Sequence, residues 1–410
     1  MHHPGQRLES KCLWAPWTRF VAAMVWGVVV SHLSSQSTLP GLPGTLISGG
    51  LPAGLEPSGA DFHSRERKLY VVSDTGVLTS MAIDGSSVTN TIVGGDLEAV
   101  CVANPMTSLI YLGLEVPNMI LEYDLASSSV TRTFDLTGIL PSPGTQGLEA
   151  LTFVPDATHP EGGLFHAGNQ ADGIIYVLSL PLISNPSSTA VQLVSTYQPA
   201  PFFTDLSGLH YDLSSQRIYA LYDTPNRLRA VSTTGAFIQE WFIPGIQQEA
   251  LALDGCTLVI GEDNGPIRTY APFPSSGSCP TLSADVVNIS LQAGGTQHMT
   301  LDPGPTFGGQ AYLVLGSASG TFPGVAVGAF LLPLNVDPYL LFTLNQPNTP
   351  PLANGLDFLD VLGMGSADFV IPPLTSPAFA GVILHHSFVV VDGSLSVSDV
   401  SNAVPLTLIP

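Results

Sequence analysis

Short apolar runs recur between Leu51 and Phe273, and they fall into five similar units. Each unit opens with a turn and a nearly continuous apolar strand, continues with a second strand that ends in an acid or amide, and adds a third strand. The openings read EPSGADF, DLEAVCV, GLEALTF, DLSGLHY and QEALALD. Antiparallel strands that repeat at intervals of roughly 40 to 60 residues are typical of propeller blades.

The innermost strands AVCV, ALTF and ALAL are apolar on both faces. Blades stacked between neighbours require this pattern, whereas a sandwich strand would alternate between apolar and polar positions. We therefore predict a five-bladed β-propeller over residues 45–275. A sixth, degenerate blade in residues 38–51, or in the inserts after Leu136 and Leu180, remains an alternative.

A second domain is predicted at residues 284–410, where short apolar runs alternate with Gly, Pro, Asn and Asp. Strands of this length and spacing favour an antiparallel β-sandwich. The Pro- and Ser-rich stretch APFPSSGSCPTLS before it is typical of a linker, and Lys and Arg are absent from Ala271 onward. The predicted fold class is thus all-β, a propeller followed by a sandwich.

The N-terminus predicts export. Arg7, Lys11 and Arg19 precede the apolar run FVAAMVWGVVV, which is followed by the polar SHLSSQS. This order is typical of a signal peptide, here residues 1–37, with cleavage between Ser34 and Thr38. The run is shorter than the roughly 20 residues of a membrane span, so the mature chain is expected to lack one. A retained signal anchor is the alternative.

The net charge of the chain limits the partners that it can bind. Charged residues make up only 10% of the chain, yet its net charge is −21. Such a surface repels nucleic acid and attracts divalent cations.

Cys256 and Cys279 flank one hairpin and predict a disulfide in an oxidising compartment, with two unpaired thiols as the alternative.

Aligning the five units places polar residues in two columns on one face of the disc, because the second strand of a blade returns to the face where the first began. The first column holds Ser58, Glu98, Glu149, Ser207 and Glu249, and the second holds Asp74, Glu115, Asn169, Asp223 and Asp263. Converging carboxylates must bind a cation or take up protons. A hard cation with oxygen ligands suits them, and calcium is the natural candidate in an acidic exported protein.

We accordingly predict metal ligands and further ligand-binding residues on this face. The metal ligands are Glu98, Glu149, Glu249, Asp74, Asp223 and Asp263; the ligand-binding residues are Glu115, Asn169, Ser58, Ser207 and His166. Three interpretations of the Glu column stay open: a clasp that accepts backbone N–H groups of the next blade, a structural calcium site, and a catalytic metal site. For His166 and His210, packing within a blade is the alternative to a functional role.

The unit openings, with RIYALYD and TLVIGED behind them, resemble the SdiA-regulated domain family, which is similar to the esterase-like phytases and related secreted propellers. The resemblance covers Leu51 to Phe273 and implies a bacterial envelope or secreted propeller with calcium in its channel. Phytase-like hydrolysis also needs basic residues, and only Arg227 and Arg229 fall near the predicted face. A weaker similarity to lactonase-type propellers would map Glu98 or Glu149 with Asn169 and Asp223.

The strings GGTQHMTLDPGP and YLVLGSASGTFPG resemble a module appended to many secreted proteins of planctomycetes and deltaproteobacteria.

Together, the signal peptide and the acidic columns predict an exported calcium-binding propeller that acts as an envelope or extracellular binding or scaffold protein. The alternative is a calcium-dependent hydrolase of phosphate esters or lactones that uses a metal-bound water.

Overall fold

The computed structural model describes residues 37–105, 107–141, 144–156, 159–213, 215–273, 279–321, 323–328 and 330–410. The predicted signal peptide lies outside these residues except for Ser37. No helix in the described ranges is long and apolar enough to cross a membrane.

Strands dominate the described chain. Two short strands, β1 (Ser37–Thr38) and β2 (Thr45–Leu46), precede the first full sheet. Blade one comprises β3 (Gly59–His63), β4 (Lys68–Ser73), β5 (Val77–Met81) and β6 (Thr89–Ile92). Blade two comprises β7 (Leu97–Cys101), β8 (Leu109–Leu114), β9 (Met119–Asp124) and β10 (Ser129–Asp135). Blade three comprises β11 (Leu148–Pro155), β12 (Gly163–Asn169), β13 (Ile175–Ser179) and β14 (Gln192–Tyr197).

The last two blades follow the same order. Blade four comprises β15 (Leu206–Asp212), β16 (Arg217–Tyr222), β17 (Arg227–Val231) and β18 (Phe237–Phe242). Blade five comprises β19 (Gln248–Asp254), β20 (Thr257–Glu262) and β21 (Ile267–Tyr270). The inner strands β3, β7, β11, β15 and β19 contact one another in a closed ring. The propeller prediction is confirmed, with five blades.

The N-terminal segment closes the ring. Strand β2 pairs antiparallel with β21 and supplies the fourth strand of blade five, while β1 adds to β18 in parallel. The segment that we considered for a sixth blade therefore completes existing blades. The ring is thus closed within blade five, where strand pairing joins β2 to β21.

Apolar packing between blades explains the continuous apolar runs. All five residues of β7 are buried. Tyr111 of blade two meets Phe165 of blade three edge-on, with 4.8 Å between ring centroids. Trp241 of blade four lies 4.9 Å from Phe273, which follows blade five. A strand buried on both faces has no room for alternation.

The chain after the propeller forms a sandwich of two sheets around a shared hydrophobic core, with a second apolar cluster that includes Leu334 and Leu340 beside it. The first sheet contains β22 (Leu282–Ala284), β24 (Gly295–Leu301), β30 (Gly365–Ile371) and β28 (Leu352–Ala353). The second contains β23 (Asn288–Ser290), β33 (Val404–Ile409), β31 (Ile383–Val391), β25 (Ala311–Ser317), β29 (Leu356–Phe358) and β32 (Val397–Val400). Strand β26 (Val325–Val327) pairs antiparallel with β27 (Phe330–Leu332).

Two features of this domain differ from the sequence prediction. Strand β23 pairs with β33 in parallel. A short helix, α1 (Pro338–Asn345), begins after Asp337, whose carboxylate accepts a hydrogen bond from the Leu340 N–H at 2.8 Å. An Asp cap followed by Pro at the first helical position is a strong local start signal for a helix.

In the part of the chain that the structure describes, a disulfide and an ion pair tie the propeller to the chain that follows it. Cys256 in blade five and Cys279 form a disulfide, with their Cα atoms 5.3 Å apart, which confirms the predicted pairing. Arg67 of blade one lies 3.0 Å from Asp302 of the sandwich and 3.8 Å from Asp254 of blade five. Both contacts lie at the face of the disc opposite to the two polar columns, near the end of β19 and the turn after β3.

Trp241→Ala is expected to lower the free energy of unfolding by about 3–5 kcal/mol, because the indole is 1% exposed and its removal leaves a cavity between blade four and the closing segment. Urea unfolding followed by fluorescence or circular dichroism measures the change. Phe202→Ala is the matched control, because Phe202 is 96% exposed. Equal destabilisation by both substitutions would contradict the packing described here.

Candidate functional site: the channel mouth

β-Bulges direct the first polar column into the central channel. In four blades the pairing of the inner strand shifts at its second residue, between Leu97 and Ala99 and at the equivalent positions. The bulged residues are Glu98, Glu149, Ser207 and Glu249. A bulge leaves one residue unpaired and re-aims its side chain.

The bulged side chains line one narrow cavity of about 10 Å³, together with the neighbouring inner-strand backbone. This volume admits about one water molecule or a bare ion. Glycines allow the inner strands to approach so closely. A Cβ at Gly59 would lie 2.5 Å from the Glu98 carbonyl oxygen, and one at Gly208 would lie 2.9 Å from that of Glu249.

Three carboxylates converge beside this cavity. Oxygens of Asp96, Glu98 and Glu115 all lie within 4.8 Å of one another, and this group is the only one of its kind within the described ranges. The Glu115 N–H donates to the Asp96 carbonyl at 3.0 Å, which fixes the start of β7 against the end of β8. The column alignment missed Asp96, although it stands two residues before Glu98 in the repeated DLEA and DLSG openings.

Burial makes ionisation of the channel carboxyls unfavourable. Glu98 and Glu149 are 7% and 6% exposed. Burial first, then the charges of Glu249 and Asp96, raises the pKa of Glu98 to about 9. Burial and the Glu98 and Glu115 charges raise the pKa of Glu149 to about 11. Both shifts favour the protonated form of these carboxyls when no cation is bound.

These two side chains contact other acids. The Glu98 carboxyl contacts the carboxyl of Asp96, and the Glu149 carboxyl contacts the carboxyl of Glu115. Glu249 lines the same cavity, and burial followed by the charges of Asp263 and Asp223 raises its pKa to about 8. The channel therefore concentrates acids that lack a basic partner in the part of the chain that the structure describes.

The second column provides the clasp that we considered for the first. Glu115 accepts from the Gly147 N–H at 2.8 Å, and Asp223 accepts from the Gln248 N–H at 2.9 Å, in each case from the next blade. Ser207 also contributes, because its hydroxyl donates to the Gln248 carbonyl at 2.7 Å. In the described hydrogen bonds, the clasp between blades is therefore made by residues other than Glu98 and Glu149.

The other predicted residues lie around this centre. The Ser58 hydroxyl accepts from the Asp74 N–H at 3.2 Å, within blade one. Asn169 is fully buried, and its amide donates to the Gly147 carbonyl at 3.0 Å. Asp263 lies at the rim, beside an open pocket.

The histidines lie apart from the acidic mouth. His166 is buried in the middle of β12, hydrogen-bonded to the Tyr197 hydroxyl at 2.9 Å, and burial lowers its pKa to about 4. This position favours the packing role over ligand binding. His210 lies 3.2 Å from Asp61 and joins blades four and one, which are not neighbours in the ring, across the far end of the channel.

The two arginines that we predicted near this face are engaged elsewhere. Arg229 pairs with Glu240 at 2.6 Å and stacks on Phe203 and Phe237. Arg227 lies 3.4 Å from the same carboxylate. Neither is positioned to hold a phosphate in the channel mouth.

No protein-family model and no curated protein matches the chain. A glutaminyl cyclase of Myxococcus xanthus aligns with 53% of this chain and 90% of its own, at 9% identity and a TM-score of 0.40. The WD40 β-propeller domain of Doa1 aligns with 52% of this chain and 63% of its own, at 13% identity and a TM-score of 0.33. The resemblance to SdiA-regulated and phytase-type propellers stays a prediction.

In the presence of a chelator, Glu149→Gln is expected to flatten the pH dependence of the free energy of unfolding. Glu149 binds its proton more tightly in the folded than in the unfolded chain, so its contribution is intact below about pH 4.3 and is lost as pH rises towards its raised pKa. Between pH 5 and 9, the free energy of unfolding of the variant should therefore rise, relative to that of the wild type, by up to about 1.4 kcal/mol per pH unit.

Urea titrations at several pH values measure this difference. Asp357→Asn, at an exposed position of the sandwich, is the control and should give a constant offset from the wild type. Parallel curves for wild type and Glu149→Gln would show that Glu149 is ionised in the folded, cation-free chain.

Proposed function

We propose that the protein is an exported β-propeller that binds one calcium ion at the channel mouth and acts as a binding or scaffold protein outside the cytoplasm. The observation that carries this proposal is the convergence of Asp96, Glu98 and Glu115 within 4.8 Å. The buried Glu98 and Glu149, which contact other carboxyl groups, support it, because a bound cation would allow them to ionise.

The donor set favours calcium. All three converging residues are carboxylates, and a hard cation prefers oxygen ligands. Calcium also accepts irregular sets of oxygen ligands, whereas magnesium demands near-octahedral geometry. Glu149, in contact with Glu115, could add a further carboxylate, and water would complete the coordination.

Export is supported by two features of the chain. The basic and apolar pattern at the N-terminus is typical of a signal peptide. The Cys256–Cys279 disulfide fits an oxidising compartment. The closing strands β1 and β2 would require cleavage upstream of Ser37 if they remain in the mature protein.

A calcium-dependent hydrolase is the second candidate, and Glu249 is the observation that favours it. Glu249 lines the channel cavity outside the group of three, and its pKa of about 8 suits a general base near neutral pH. A metal-bound water would be the nucleophile. Neutral lactones fit this site better than phosphate esters, because Arg227 and Arg229 are committed to Glu240.

Calcium is expected to raise the melting temperature of the wild-type protein, and EGTA is expected to reverse the shift. A calcium concentration 100-fold above Kd contributes about 2.7 kcal/mol of stability. Glu98→Gln should abolish the calcium response, because it removes a central ligand, while Asp357→Asn should keep it. A calcium response of equal size in Glu98→Gln would refute this site.

Turnover separates the two candidates. A panel of lactones and phosphate esters is assayed with calcium, using wild type and Glu249→Gln. The binding-protein proposal predicts no turnover by either protein. Lactone hydrolysis that is lost in Glu249→Gln, while calcium still raises the melting temperature of that variant, would instead establish the hydrolase.

A further inference from the structure

A separate pocket opens at the rim of the acidic face. Its walls come from the segment that enters blade one, residues 48–56, and from the hairpin of blade five, residues 263–265. The cavity measures about 270 Å³, which accommodates a small organic molecule rather than a single ion. None of the predicted site residues except Asp263 lines it.

Both apolar and acidic residues line this rim pocket. Leu51, Pro52 and Ala53 are apolar, while Glu56 and Asp263 supply carboxylates. Asp74 belongs to the same acidic group, because hydrogen bonding to its carboxyl, followed by its charge and that of Asp263, raises the pKa of Glu56. The lining residues include no Lys, Arg or His.

The spacing of these acids argues against a metal ion as the occupant. Asp96, Glu98 and Glu115 are the only described group of three whose ligand atoms lie within 4.8 Å of one another. Glu56, Asp74 and Asp263 do not meet this condition, so one bare ion would not reach all three carboxylates at coordination distance. An ammonium group can satisfy two of them with hydrogen bonds of about 2.8 Å.

We propose that the rim pocket binds a primary ammonium group carried on a short aliphatic chain. The ammonium group lies between Glu56 and Asp263, and the chain packs on Leu51 and Pro52, as long cationic side chains do on apolar surfaces. The acidic field of the channel mouth extends to this pocket, because Asp263 and Asp74 also raise the pKa of Glu249. Such a field concentrates cations and accelerates their association.

This inference rests on the proposed binding function and names its ligand class. A free alkyl diamine and the lysine side chain of a partner protein share the required chemistry. The ligand's charge complements an acidic pocket, and its length matches a lining that is apolar over several residues. Calcium binding at Glu98 and ammonium binding at the rim pocket use different residues, so either can fail alone.

The test is isothermal titration of the full chain with 1,5-diaminopentane in EGTA, with 1,5-pentanediol as the uncharged isostere. The diamine should bind saturably and the diol should not. Asp263→Asn and Glu56→Gln should each weaken diamine binding about tenfold, since each removes one charge-assisted hydrogen bond. Leu51→Ala should weaken it about threefold through lost apolar contact.

Asp357→Asn is the matched control and should leave diamine affinity unchanged. The proposal would be overturned by equal binding of the diol, by undiminished binding in both carboxyl variants with wild-type melting temperatures, or by the same loss in Asp357→Asn. Nα-acetyl-lysine methylamide distinguishes the sources of the ligand: tighter binding than the diamine identifies a protein lysine, and weaker binding identifies a free amine.

Discussion

The main physical constraint on this propeller is that its channel buries carboxyl groups, and the described residues place no basic side chain beside them. Glu98 and Glu149 enter this channel because bulges in β7 and β11 turn them inward. Their pKa values of about 9 and about 11 express the free energy needed to ionise them there. Two states relieve this cost: uptake of protons, or binding of a cation that replaces them.

The remainder of the propeller holds this arrangement in place. Closure by β2, the clasp of Glu115 on Gly147 and the hydrogen bond from Ser207 to Gln248 tie neighbouring blades together around the mouth. The pair between His210 and Asp61 spans the other end of the channel. A site built on a closed ring of strands is pre-organised, so a cation would meet its ligands already in position.

Sequence repetition predicted the blades and the convergence of the polar columns, because equivalent positions of a propeller face the same axis. It could not predict which column carries the clasp, since this depends on the bulge at Glu98 and on the reach of Glu115 to the next blade. Asp96 escaped the alignment because it precedes the inner strand, and only the pairing of β7 with β8 brings it beside Glu115. The two short closing strands carry too few residues for a periodic pattern.

The sandwich shows a similar limit. Alternating apolar runs predicted its strands, but the parallel pairing of β23 with β33 is a long-range contact that local pattern does not encode. Helix α1 did have a local signal, the Asp337–Pro338 start, in a stretch where apolar periodicity is weak. The rim pocket arises from two segments that are distant in sequence, 48–56 and 263–265, and could be found only from the fold.

The most direct test of a cation at the channel mouth is an anomalous difference map from crystals in which terbium replaces calcium. The account predicts one strong peak within coordination distance of Asp96, Glu98 and Glu115, which disappears in Glu98→Gln. Terbium bound elsewhere, with an empty mouth at saturating concentration, would contradict the account and leave protonation as the way in which the channel tolerates its buried acids.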